Sequence, residues 1–266
     1  MEAAPDISWL RLLAGFGLLV IPVALSVALR LGIIRQLFIS AGRMSGQLFL
    51  MSILLIYLFD WDNPWINIAW VMVMIFFACL SALVNSRLSY RRFFIPVFLA
   101  YFIGAGFVLI FFNSVIVNHP NIFTARLLVV IGGMLLGNSL NSTIIGISHF
   151  YESIGKDNKR YLYLLSLGAS QQEALLPFFR DAFLAAIRPF MANMATMGLV
   201  WLPGMMTGQI LGGANPETAI KYQIAIMLAI FTATTLSVSL SVFFTARKAF
   251  TPYGILKKDF FRNAGK

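Results

Sequence analysis

Among 266 residues there are one cysteine, two histidines and ten acidic side chains. The lone cysteine, Cys79, excludes an internal disulfide and any cysteine-based metal cluster. The histidines, His119 and His149, are far apart in the chain. No Gly-rich loop ends in Gly-Lys-Ser or Gly-Lys-Thr, so the chain carries no P-loop for ATP. Charged residues make up only 11%, against about 25% in soluble domains. The acids fall in loops or at the ends of apolar runs, with no convergent His, Asp or Glu cluster inside one, which argues against a membrane-embedded enzyme. The opening MEAAPD is acidic and does not match a cleavable signal peptide. There is no internal repeat and no sign of a second domain, so residues 1–266 read as a single membrane domain.

What fills the chain is apolar. Hydrophobic residues reach 59% and the mean hydropathy is +0.84. About 20 apolar residues cross a bilayer as a helix. Seven runs qualify: 10–29, 39–59, 65–85, 93–112, 125–149, 183–203 and 222–245. The expected fold is therefore an all-α polytopic membrane protein of about seven spans. The net charge of +10 would point to nucleic acid in a soluble protein. Here the excess of Lys and Arg on cytoplasmic loops explains it, and no nucleic-acid partner is expected. With the N-terminus outside and the C-terminus inside, seventeen of the twenty basic residues fall inside, and only Arg11, Arg126 and Lys221 fall outside. Trp61, Trp65 and Trp201 then lie near the outer interface, where amphipathic rings are favoured. The basic tail KKDFFRNAGK suits anionic lipid headgroups.

The chain is organised around residues 166–223. Ser170 and Glu173 form the S-x-x-E capping box of a helix start, and Gly168 ahead of them allows a sharp turn. Pro177 is expected to end this first helix after about two turns, giving a short cytoplasmic helix over 170–176 followed at once by the sixth span. That span breaks at Leu202-Pro203-Gly204.

LSLGASQQEA and RDAFLAAIRP in this stretch resemble the cytoplasmic coupling loop of ABC-transporter permeases. WLPGMMTG, NPETAIKYQI, GRMSGQ at 42–47 and GMLLGN at 133–138 narrow the resemblance to FetB-type (YbbM-like) permeases, a family assigned to iron export, over about residues 40 to 250. The resemblance implies a homodimeric permease in the bacterial inner membrane, paired with two copies of a cytoplasmic ABC ATPase. ATP and Mg would then be held by that partner, with no cofactor in this chain. It also implies coupling through a loop at about 150–182, with Gly168, Ala169, Ser170, Glu173, Ala174, Arg180 and Asp181 as the contact set. Relatives of the fold in plants are linked to nucleotide-sugar movement, so an organic substrate is an alternative. A channel or carrier without an ATPase is another, although it would have no use for a coupling helix.

Polar groups inside spans cost several kcal/mol unless paired, so each is a functional candidate. Arg43 and Gln47 share a helix face. Asn85 ends the third span, and Asn138 and Asn141 lie within the fifth. They either hydrogen-bond between helices or line a path. Met191, Met194 and Met197 recur at helical spacing, which suits packing. Around the break, Pro203, Gly204, Met205, Met206 and Gly208, with Lys221 and Gln223 beyond, are candidates for a gate. Thioethers suit soft ions such as Cu(I) and suit hard iron poorly, which makes Met205 and Met206 weak metal-ligand candidates. His149 and Glu152, at i and i+3, are others.

Overall fold

The computed structural model of the chain describes residues 7–251 and 254–256. The opening MEAAPD and the tail residues Lys257, Lys258, Arg262 and Lys266 lie outside the described residues. The described chain contains α1 (Trp9–Phe16), continued through a 3₁₀ turn into α2 (Val20–Ala28), then α3 (Ile34–Trp61), α4 (Pro64–Asn85) and α5 (Tyr90–Phe111), which ends in a π-helical turn. After these come α6 (Ala125–Lys156), α7 (Asn158–Ser166), α8 (Gln171–Thr196), α9 (Gly204–Leu211) and α10 (Pro216–Ala249).

Local chemistry sets the helix starts. Asn63 and Asn215 each accept a hydrogen bond from the N–H two residues on, at 2.9 Å, and each is followed by proline. An Asn cap with proline at the first helical position satisfies one free N–H and removes another. α6 is capped from a distance. Asp62, in the left-handed conformation at the end of α3, accepts from the Ala125 N–H at 2.6 Å. Buried Asn67 donates to the same carboxylate at 3.2 Å and to the Phe123 carbonyl at 2.9 Å. The α3–α4 turn is thereby tied to the start of α6.

α4, α5, α6, α8 and α10 form the packed bundle. Its centre uses small residues and hydroxyls. Ser139, Thr143, Thr234, Ser237, Ser241 and Thr245 are all fully buried, and Ser139 Oγ lies 3.4 Å from Thr234 Oγ1. Small side chains let helix axes approach, as in membrane bundles generally. α1–α3 stand apart. Almost nothing of Trp9–Ala28 or Ile34–Trp61 is buried, whereas half of the apolar part of α5, α6 and α10 is. α3 touches the bundle near its end, where Leu58 packs with Ala125 and Val129.

Among the described residues, six helices are long and apolar enough to cross a membrane: α1–α2 together, α3, α4, α5 with its π turn, α6 and α10. They coincide with six of the seven expected runs. The chain is therefore an all-α, multi-pass membrane protein. Packing register shows what α8 does between two of them. Ser139 faces Thr234 and Gly146 faces Val238, so α6 and α10 run parallel. On α8, Ala186 lies near Gly146, Phe190 stacks on Phe231, and Phe178 meets Tyr161, beyond the end of α6. α8 thus runs antiparallel to both and carries the chain back through the bundle.

Two expectations for α8 need correction. Pro177 does not end a short helix, because α8 continues through both Pro177 and Pro189 to Thr196. Proline at 177 removes one bond, to the carbonyl of Glu173. Glu173 sits in the exposed first turn of α8, where water can take that bond. The helix is also shorter than expected at its far end, because residues 197–203 are not helical. Gly198 has φ +81°, its N–H donates to the Trp201 carbonyl at 2.9 Å, and Trp201 Nε1 donates to Thr196 Oγ1 at 3.3 Å. Pro203 then caps α9.

Candidate functional site

The candidate residues sort onto the two ends of α8 and onto exposed helix faces. At its N-terminal end the capping box is present atom for atom. The Ser170 Oγ accepts from the Glu173 N–H at 3.3 Å, while the Glu173 carboxylate accepts from the Ser170 N–H and hydroxyl, both at 2.8 Å. The Ser170 hydroxyl and N–H hold this carboxyl below its usual pKa. Gly168, with φ +89°, makes the turn, and Ala169 completes it. Ala174 is fully buried beneath the capped turn, and the adjacent Arg180 and Asp181 are exposed about two turns further on.

A second helix supports this end, and the sequence reading missed it. α7 precedes the turn, and its Tyr161 is buried, donating to the Gly254 carbonyl at 2.7 Å. Phe178 and Phe250 pack on the Tyr161 ring. Tyr161, Leu164 and Leu165, at i, i+3 and i+4 beside exposed Lys159 and Arg160, were the signal for an amphipathic helix. Beside the capped turn is a groove of about 320 Å³, lined by Phe150, Gln171, Leu175, Phe179, Phe243 and Arg247 among others. The Arg247 guanidinium lies over the Phe243 ring at 4.4 Å. This end is an anchored helix–turn–helix with an exposed polar face, joined to a helix that runs the length of the bundle.

At the other end of α8 the irregular segment closes over α10. A cavity of about 420 Å³ is lined by Met194, Met197, Pro203, Met206, Gln223 and Met227, with apolar neighbours. Gln223 is 6% exposed, and its Oε1 has no hydrogen-bond partner. Of the gate candidates, Pro203, Met206 and Gln223 line this cavity. Met205 packs on the core instead. Gly204 and Gly208 are exposed on α9 with open space where a Cβ would stand. Lys221 points away, its ammonium held 2.6 Å from Glu217 Oε1.

The remaining candidates are dispersed. Asn138, Asn141, His149 and Glu152 are exposed on α6, and Asn138 donates to the Met134 carbonyl at 2.9 Å. Asn85 is also exposed, bonded to the Ser81 carbonyl. Arg43 and Gln47 are exposed on α3, in the half away from Leu58. Among the described residues, no three His, Cys, Asp or Glu side chains come together to hold a cation.

These features define a polytopic helical membrane protein with an exposed capped end and a Met-lined cavity at the opposite end of one helix. Residues 9–250 match the family described as "Uncharacterised protein family (UPF0014)", and the chain belongs to that family. It is 29% identical over 235 residues to "Probable iron export permease protein FetB" of Escherichia coli K12, covering 87% of this chain and 88% of that protein. It is 32% identical over 238 residues to "UPF0014 membrane protein slr1647" of a Synechocystis strain, covering 87% and 88%. It is 30% identical over 226 residues to "Protein ALUMINUM SENSITIVE 3" of Arabidopsis thaliana, covering 84% and 81%. No solved structure matches the chain.

Proposed function

We propose that this chain is the membrane-spanning permease of an ABC transporter that exports iron or another metal species, driven by a separate cytoplasmic ATPase. One observation carries the reading. A single helix, α8, begins at the exposed capping box and ends at the Met-lined cavity. At 1.5 Å per residue, its 26 residues span about 39 Å. A rod of that length, with its first turns offered to a soluble partner, carries displacement from one side of the bundle to the other. Closure of the ATPase pair on ATP and Mg would push the α7–α8 turn. α8 would then shift against α6 and α10, and the segment 197–203 would open or close the cavity.

The permease name of the Escherichia coli relative supports this reading. The exposed polar side chain of Asn141 on α6 supports a homodimer, because lipid offers it no partner and a second copy would. In this arrangement the chain lies in the bacterial inner membrane with the N-terminus outside and the C-terminus inside, which puts the capping box on the cytoplasmic side.

The test is partner capture. Tagged chain purified from its own cells should retain an ATPase bearing a phosphate loop. Glu173→Ala combined with Arg180→Glu should insert and purify normally yet lose that ATPase, or keep it without substrate-stimulated hydrolysis. Equal retention and equal hydrolysis in the double variant would reject the coupling role of 168–181.

A further inference from the structure

We infer that the cavity at the far end of α8 is a binding site for a soft monovalent cation of the Cu(I) or Ag(I) type. Met194, Met197, Met206 and Met227 all line it. They come from three places: the end of α8, the first turn of α9 and the fourth turn of α10. A methionine stripe along one helix is packing, but four thioethers converging from separate elements on one space are a potential ligand set. Thioether sulfur is a soft, neutral donor that selects Cu(I) over harder divalent ions.

A second feature points to a ligand. The Gln223 side chain is buried and lines the same cavity, and its Oε1 has no hydrogen-bond partner. A buried amide oxygen left unpaired has lost its hydration without replacement, and a bound cation would satisfy it. The lining contains no carboxylate and no imidazole. A hard or divalent ion would enter without charge compensation or preferred donors, whereas a monovalent ion with a small desolvation cost matches a neutral, sulfur-rich cage. The cavity reaches the surface beside exposed Gly198 and Leu202, which gives an entry path.

The site itself follows from the geometry. Only the naming of its occupant as cargo rests on the transport reading. The full chain, purified in detergent without any ATPase, is titrated anaerobically with Cu(I) buffered by a competing chromogenic chelator. The expected result is one Cu(I) per chain, undisturbed by equimolar Fe(II). Met197→Leu with Met206→Leu keeps side-chain volume and should weaken binding at least tenfold. Met191→Leu, exposed and outside the lining, should leave it unchanged. X-ray absorption of the wild-type complex should show a sulfur shell around copper, a readout that does not require any variant to fold. Absence of binding, a shell of nitrogen and oxygen alone, or equal affinity in the double variant overturns the proposal. Because no ATPase is present, such a failure leaves the permease reading standing, just as failed partner capture leaves the cation site standing.

Discussion

A Cβ added to Gly104 would stand 2.6 Å from Ser237 Oγ and 2.9 Å from the Ser237 backbone nitrogen. α5 and α10 therefore meet backbone to backbone at this point. Gly104→Ala must push the helices apart, at about 1–3 kcal/mol. Gly106, on the same helix, has open space around it, so Gly106→Ala should be neutral or slightly stabilising. Thermal unfolding in detergent should show a lowered Tm for the first variant only. Equal Tm values would mean that the α5–α10 contact is looser than described.

The N-terminal end of α6 depends on a residue from another helix. Asn67→Ala removes the donors to the Phe123 carbonyl and to Asp62 and leaves both acceptors without that partner. A loss of about 1–3 kcal/mol is expected, read as a Tm lower by several degrees. Trp65→Ala, exposed two residues earlier, serves as the control and should change Tm little.

The strained turn of the cavity segment lies at Gly198 rather than Gly204. At φ +81° a branched side chain is strained by about 1–2 kcal/mol. Gly198→Val should distort 197–203 and reduce metal export from cells. Gly204→Val, with space for its side chain, should export at near wild-type rates. Reduced export in the second variant alone would place the moving part on α9.

Orientation can be read chemically. A cysteine at Asn215, before α10, should react in intact cells with an impermeant thiol reagent, and one at Asn158, at the start of α7, should not. Cys79 is fully buried and adds little background. The reverse labelling pattern would invert the arrangement, with the capping box outside and beyond reach of a cytoplasmic ATPase.

Much of the fold was legible because bilayer crossing writes itself in composition. The helix α4 is expected at 65–85 and runs Pro64–Asn85, and α1–α2, expected at 10–29, runs Trp9–Ala28, whereas α3, α5, α6 and α10 extend several residues past their apolar runs because polar turns continue a helix beyond its apolar part. The capping box was legible because its chemistry is local. α8 was misread at both ends for the opposite reason. Whether Pro177 breaks a helix depends on what the freed Glu173 carbonyl faces, and whether Val200 and Trp201 stay helical depends on a turn fixed by Gly198 and Thr196. The cavity was half legible. Met206 and Gln223 were singled out, but Met227 joins them only through the packing of α10 beside α9, which no spacing rule gives. Lys221, two residues before Gln223 and so on the other side of α10, instead satisfies its charge with Glu217.

The two prolines inside α8 leave the carbonyls of Glu173 and Ala185 without their helical donors. Pro177 and Pro189 are about three and a third turns apart, so the two freed carbonyls point in directions about 120° apart around the helix. Each is a point where the rod yields most easily, away from its missing bond. A shaft with two soft joints set at different angles does not simply slide when pushed at one end; it precesses. Thrust delivered at the capped turn would emerge at Met194 and Met197 partly as rotation, turning the thioethers toward or away from the cavity without lengthening the helix or unwinding its ends.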